Sequence, residues 1–220
     1  MTITALRPRN CVLDEETHTY RWDPEGENIQ MATSVTPVVN LNKGPYTGDP
    51  RYGEMGTHIH RCGEALAKGL PIPSPISPEG HDCTCWFQQM QLLPIWDKVE
   101  ILGSEYTMTS RTKSLGGQAD LIYQTKDGRK IILDFKSKQR SWSKPYPGDI
   151  DSYASQMGGY FDLLNSGDDA RGGCWIDECV IAIIKPTEYV LLPALDIYRC
   201  SNAWSDSWNT YLAHKQANPF

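Results

Sequence analysis

Gly116-Gly117-Gln118-Ala119-Asp120-Leu121-Ile122-Tyr123 leads through Thr125-Lys126-Asp127-Gly128 into Ile131-Ile132-Leu133-Asp134-Phe135-Lys136. Two apolar runs rich in β-branched and aromatic residues around a Lys-Asp-Gly turn have the pattern of a β-hairpin. A three-residue loop over Lys126 to Gly128, with Gly128 left-handed, sets Thr125 opposite Arg129 and therefore Asp120 opposite Asp134. Side chains alternate between the two faces of a strand. Ala119, Leu121 and Tyr123 are thus expected on one face with Ile131, Leu133 and Phe135, and Gln118, Asp120, Asp134 and Lys136 on the other. A two-residue loop would slip the register by one and send the two aspartates to opposite faces. An isolated Asp-x-Lys is an ordinary solvated sheet face. Two carboxylates directly opposite each other, about 4.5–5.5 Å apart at Cα, repel unless a cation lies between them. With Lys136 beside them they suit metal-assisted hydrolysis.

Outward from the hairpin, Ile101 to Ser110 reads as a further strand, as do Cys179 to Lys185 and Tyr189 to Leu192. Met55, Ile59, Cys62 and Leu66 recur at helical spacing and mark one buried face. Trp86 to Val99 is expected as a second helix, interrupted at Pro94. Asp151 to Leu164 and Asp196 to Lys215 carry helical apolar spacing, while Pro71 to Pro78 is a loop, since proline sustains neither helix nor sheet pairing there. The order predicts an α/β fold with a central mixed sheet flanked by helices. One domain over residues 1–220 is expected, with an N-terminal helical part over about 34–100 and a sheet core over about 101–195.

Three further segments narrow the reading. Gly56-Thr57-His58-Ile59-His60 with Glu64 places His60 and Glu64 one helical turn apart, whereas His58 lies about 200° around the helix from His60. Gln156 and Tyr160 share a face by the same spacing. Gly158 and Gly159 between them each cost a helix about 1 kcal/mol relative to alanine, so close packing on the sheet or a close DNA backbone should offset them. Lys138, Arg140 and Lys144 surround Trp142, a basic-aromatic patch suited to single-stranded nucleic acid, although a solvated loop reads the same way.

Gly117-Gln118-Ala119-Asp120 followed by Asp134-Phe135-Lys136 resembles the core pattern of the PD-(D/E)XK nuclease superfamily, restriction-endonuclease-like in its core. The Gly56 to Glu64 segment, Gln156 to Tyr160 and Ser34-Val35-Thr36 are similar to motifs of its RecB-like exonuclease group, in the same order. The resemblance spans roughly residues 34–160 and implies a deoxyribonuclease using Mg²⁺ or Mn²⁺. Asp120, Asp134, His60 and the Phe135 carbonyl would hold the metal, and Glu64 would ligate directly or through water. Lys136 would orient the attacking water, with Gln156 and Tyr160 beside it, and Ser34, Thr36, Lys138, Arg140 and Trp142 would contact substrate. Glu105 matches a glutamate seen in the group, but a surface strand position fits it too. The products would carry a 5′-phosphate. Exonuclease action is favoured, with a structure-specific endonuclease or an inactive DNA-binding module as alternatives. A role in recombination, repair or phage DNA processing, beside a strand-annealing or single-strand-binding protein, is implied by analogy alone.

The bulk properties agree. A net charge of −6 excludes a protein that coats nucleic acid by overall charge, so DNA must meet a local patch. Seven irregularly spaced cysteines do not suggest a disulfide framework. His81-Asp82-Cys83-Thr84-Cys85 could begin a zinc site but has no second ligand pair at normal spacing. Cys174, Cys179 and Cys200 are too widely spread for the iron–sulfur pattern of some RecB-like proteins. No secretory signal or membrane-spanning run is apparent, so a cytoplasmic location is expected.

Overall fold

The structure is a computed structural model. It describes residues 6–7, 10–41, 43, 49–139, 141, 143, 145, 147–170 and 175–218. The hairpin forms in the expected register. β6 (Leu115–Gln124) and β7 (Lys130–Ser137) are antiparallel, with Leu121 opposite Leu133 and Gln124 opposite Lys130. Thr125 and Arg129 close the loop, and Gly128 takes a φ of 89°, a conformation that glycine adopts at no steric cost. β5 (Glu100–Ser110) lines the other edge of β6. β7 continues into β8 (Glu178–Ile184), parallel, and then β9 (Tyr189–Leu191), antiparallel. At the far end of β6, the short β4 (Thr33–Ser34) pairs parallel with Leu115 and Gly116. β5 already occupies one edge of β6, so β4 and β7 must share the opposite edge. Between them, Gly117 to Asp120 has no ladder partner on that edge.

Both faces of the sheet are covered, which is why its strands are apolar on both sides. On one face Leu121, Leu133, Phe135, Val180 and Ala182 pack against α2 (Arg51–Lys68) and α3 (Thr84–Gln91), through Ile59, Cys62, Phe87 and Met90. On the other, Ala119, Ile132, Ile181 and Ile183 pack against α1 (Val35–Val39), α4 (Pro147–Ser166) and α5 (Ile197–Ala217). The chain is therefore an α/β protein with a mixed central sheet between helices. The first three helices fall within residues 35–91 and β5 to β9 within 100–191. No helix among the described residues is long and apolar enough to cross a membrane.

Two expectations need correction, and one sheet was not expected. α3 stops at Gln91 rather than running to Val99, because Pro94 disfavours helical geometry before it. Ala119 packs on the α4 face, not with Leu121 and Tyr123. Alternation breaks at Asp120, and across the ladder Glu105 has a φ of 48°, between the pairs Ser104–Leu121 and Tyr106–Ala119. A non-glycine residue held there stores roughly 1–3 kcal/mol of strain, a feature that concentrates at functional sites. Finally, β1 (Cys11–Asp14), β2 (Thr19–Trp22) and β3 (Ile29–Gln30) form a separate three-stranded antiparallel sheet that the sequence reading did not assign. Cys11, Tyr20, Trp22 and Met31 make its core.

Candidate metal centre

The β6–β7 ladder ends at Leu121–Leu133, and the strands part at Asp120 and Asp134. Asp120 Oδ2 replaces the missing ladder bond by accepting from the Phe135 backbone N–H at 2.7 Å. His60, from α2 on one side of the sheet, brings Nδ1 to 3.5 Å from the same oxygen. Its ring meets Phe135 edge-on at 6.0 Å between centroids. One donor atom from each of His60, Glu105 and Asp120 lies within 4.8 Å of the others. Strain at Glu105 and the break in alternation at Asp120 thus coincide with the convergence of three potential ligands.

Asp134, 2% exposed, stands next to this group without belonging to it. Lys136 Nζ lies 2.7 Å from Asp134 Oδ2, an ion pair without hydrogen-bond alignment. The ammonium also donates to Gln156 Oε1 at 2.9 Å, and Gln156 Nε2 donates to the Tyr160 hydroxyl at 2.7 Å. α4 supplies Gln156 and Tyr160 from the face opposite α2. The site therefore occupies the seam between the parted strands, with side chains reaching it from both sides, rather than lying on a single face as the alternation rule suggested.

The electrostatics follow from burial and crowding. Burial raises the Glu105 carboxyl to about 8, with the Asp120 charge adding to it. Burial likewise lifts Asp134 to about 6; Lys136 counters the rise and the Asp120 charge supports it. Asp120 is held below its ordinary value. Burial opposes its ionisation, but His60, Lys136 and the Phe135 N–H outweigh that cost. For His60, burial disfavours the imidazolium, yet Asp120, Glu105 and Asp134 raise it to about 9. The surrounding acidic groups thus favour the imidazolium form of His60. The donor set fits a hard divalent ion accepting oxygen ligands and one imidazole, and such an ion would compete with the His60 proton.

The remaining expected residues divide clearly. Glu64 is ion-paired to Lys68 and lies near enough to Glu105 to oppose its ionisation. Phe135 enters the site through its N–H, while its ring is buried against α2 and α3. Ser34 pairs with Gly116 and Thr36 is exposed, while Val35 between them packs in the core. Lys138 adjoins an opening of about 180 Å³ lined by Tyr52, Met55, Ile59, Trp86, Ser137 and Gln139. Arg140, Trp142 and Lys144 lie outside the described residues. Gly158 and Gly159 pack against α5 and α1 rather than the sheet, close against Cys200, Trp204 and Val35.

Two residues near the site were absent from the sequence reading. Tyr20 of β2 rests on Gly116. Burial pushes its phenol up to about 12, and the Glu105 and Asp120 charges add to that. Tyr153 lies one turn before Gln156, with Lys136 Nζ 5.8 Å from its ring centroid. A continuation of the Gln156–Tyr160 helical face toward the N-terminus would have picked out Tyr153, whereas no local signal marks Tyr20.

His58 is a structural residue. It is buried, stacks on Phe87 at 5.1 Å and has Nε2 2.7 Å from the Ser74 carbonyl oxygen. His60→Ala is expected to weaken Mn²⁺ binding by at least the roughly 10–100-fold typical of losing an outer metal-site partner. His58→Ala should leave Mn²⁺ affinity alone and lower stability by about 1–3 kcal/mol. Calorimetric titration and thermal melts of both variants check the pair. Equal losses of Mn²⁺ affinity would overturn the assignment.

No protein-family model matches the chain, and no curated protein matches it. Among solved structures, one described as the crystal structure of SSO0001 aligns with a TM-score of 0.31 at 15% identity, over 79% of this chain and 82% of that one. A likeness at that level says nothing about fold or function.

Proposed function

We propose that the protein is a Mg²⁺- or Mn²⁺-dependent deoxyribonuclease, acting as an exonuclease of the RecB-like type and leaving 5′-phosphate ends. The observation that carries this reading is the convergence of His60, Glu105 and Asp120 within 4.8 Å beside the Asp134–Lys136–Gln156 chain. The order of the sequence motifs supports it independently.

In this reading His60, Glu105 and Asp120 would hold the metal, with Asp134 beside them paired to Lys136. Bound there, the ion would polarise the scissile phosphate and lower the pKa of a water molecule. Asp120 is locked in place by the Phe135 N–H, so one ligand is preorganised before any ion arrives. Lys136, oriented by Asp134 and Gln156, presents its ammonium to the attacking water and to the charge developing on phosphate. Tyr160 fixes the Gln156 amide, and through it the direction of Lys136. The opening beside Lys138, with Tyr52 and Trp86 in its wall, offers aromatic faces next to the end of β7 for an unpaired base.

End-labelled linear DNA, single- and double-stranded, incubated with Mg²⁺, Mn²⁺ or EDTA, tests the proposal. Degradation with either ion and none in EDTA is expected. Unchanged cleavage in EDTA, or no cleavage with either ion, would sink it. Resistance of a circular substrate separates exonuclease from endonuclease action.

A further inference from the structure

Tyr52, Met55 and Ile59 recur at i, i+3 and i+7 and share one face of α2. That face, Trp86 of α3 and the Ser137–Gln139 stretch at the end of β7 line an opening of about 180 Å³. Ile59 is bonded to His60 and Ser137 to Lys136, so on two separate elements the opening begins one residue from the candidate site. Its wall grades from solvent to core, with Tyr52 42% exposed and Ile59 1% exposed, and a ligand can enter past Tyr52. Trp86 is held in place by its indole N–H, which donates to the Lys138 carbonyl oxygen at 3.1 Å. A Cβ on Gly56 would lie 3.2 Å from Ser137 Oγ, so α2 crosses the end of β7 closely there. The opening is smaller than the roughly 300–1,000 Å³ of sites for drug-sized ligands. It has room for one ring system, not for a base pair. Ser137 and Gln139 add a hydroxyl and an amide, donors and acceptors both, to an otherwise aromatic and aliphatic wall. Burial lowers the pKa of Lys138, Asp149 opposes that, and the Lys136 and Lys43 charges lower it further. Three ammonium groups therefore gather near this end of β7, an arrangement that suits the phosphates of a strand.

We propose that this opening takes one unpaired nucleobase of the strand being cut, stacked on Trp86 with Tyr52 at the entrance, and so restricts the protein to single-stranded DNA. The inference deepens the nuclease reading and rests on it for the identity of the strand. A base still paired to its complement cannot enter, because the pair is too wide and its hydrogen-bonding edge is already occupied. Stacking accepts every base, so the selection is by strandedness and not by sequence.

Tyr52→Ala and Trp86→Ala are each expected to weaken binding of a single-stranded oligonucleotide roughly 10- to 100-fold, the range for losing one stacked base. Binding is measured in EDTA, where the proposed cleavage cannot intrude. Tyr52→Phe and Trp86→Phe keep an aromatic face and should restore most of the affinity. A blunt duplex of the same sequence should bind the wild type more weakly and all four variants equally. A strand of abasic residues, which keeps the phosphates and lacks the bases, should lose at least the same factor on the wild type. Unchanged single-strand affinity in Tyr52→Ala, whose exposed side chain contributes little to the fold, would overturn the inference, as would an equal loss for the duplex. Single-strand binding that depends on both rings, without cleavage in Mg²⁺ or Mn²⁺, refutes the nuclease reading and upholds the base pocket. Metal-dependent cleavage of single and double strands that neither alanine variant alters upholds the nuclease reading and overturns the pocket.

Discussion

Lys136→Ala is expected to slow single-turnover DNA cleavage by roughly 10²–10⁴-fold, the range associated with losing a positioned proton-handling group. The ammonium sits 2.7 Å from Asp134 Oδ2 and 2.9 Å from Gln156 Oε1, so its direction is set before substrate binds. Alanine removes both the charge proposed to orient the attacking water and the cation that counters burial of Asp134. Without Lys136 the Asp134 carboxyl, already lifted to about 6, should rise further in the metal-free protein. The His60, Glu105 and Asp120 donors do not depend on Lys136 for position, so Mn²⁺ affinity should stay within about tenfold, a difference of roughly 1.4 kcal/mol. Calorimetry and rapid-quench kinetics on one preparation check both parts. An undiminished rate would remove Lys136 from the chemistry, whereas a collapse of Mn²⁺ binding would make it a structural support for the ligands.

Gly158→Ala should destabilise the fold at or above the upper end of the roughly 1–3 kcal/mol usual for overpacking. A methyl group at Gly158 would meet the Cys200 carbonyl oxygen at 2.0 Å and its carbon at 2.6 Å. These are backbone atoms of α5 and cannot rotate away, so the helices must separate. At about 2–4 °C per kcal/mol for a chain of this size, the melting temperature should drop by about 6–12 °C. Gly159→Ala meets Val35 side-chain carbons at 2.7 and 3.0 Å and a Trp204 ring carbon at 3.1 Å, groups that can shift, and should cost less. Denaturant titration of the two variants ranks them, and a Gly158 variant as stable as wild type would refute the close contact. Because α4 also carries Gln156 and Tyr160, its displacement should lower activity even where the protein stays folded.

Both glycines show how differently local and distant information is written in the chain. Their helix-breaking cost is evident from sequence, but what offsets it is α5 and α1, and no local pattern names those partners. Turn chemistry and strand pairing at short range are local, so Gly128 and the apolar runs around it sufficed to determine the hairpin register. The same holds for the buried face of α2 and for Asp196, whose carboxylate caps α5 by accepting from the Arg199 N–H.

Asp120, Asp134, Lys136, His60, Gln156 and Tyr160 could likewise be named from the motifs and their spacing. How they divide, and that Glu105 joins them, could not. The alternation rule assumes an unbroken strand, and the strand is broken at the site itself, where Glu105 takes a left-handed conformation and Ala119 turns toward α4. That break brings Glu105 into the group of potential ligands and leaves Asp134 with Lys136. Tyr20 arrives from a small sheet, one hundred residues before Asp120 in sequence, and it can rest on Gly116 only because no side chain is there. Sequence by itself determined the elements, their apolar faces and the chemistry available. Tertiary packing alone decided which carboxylates meet, since local propensity cannot encode a contact between strained and distant strands whose stability comes from the two cores that enclose them.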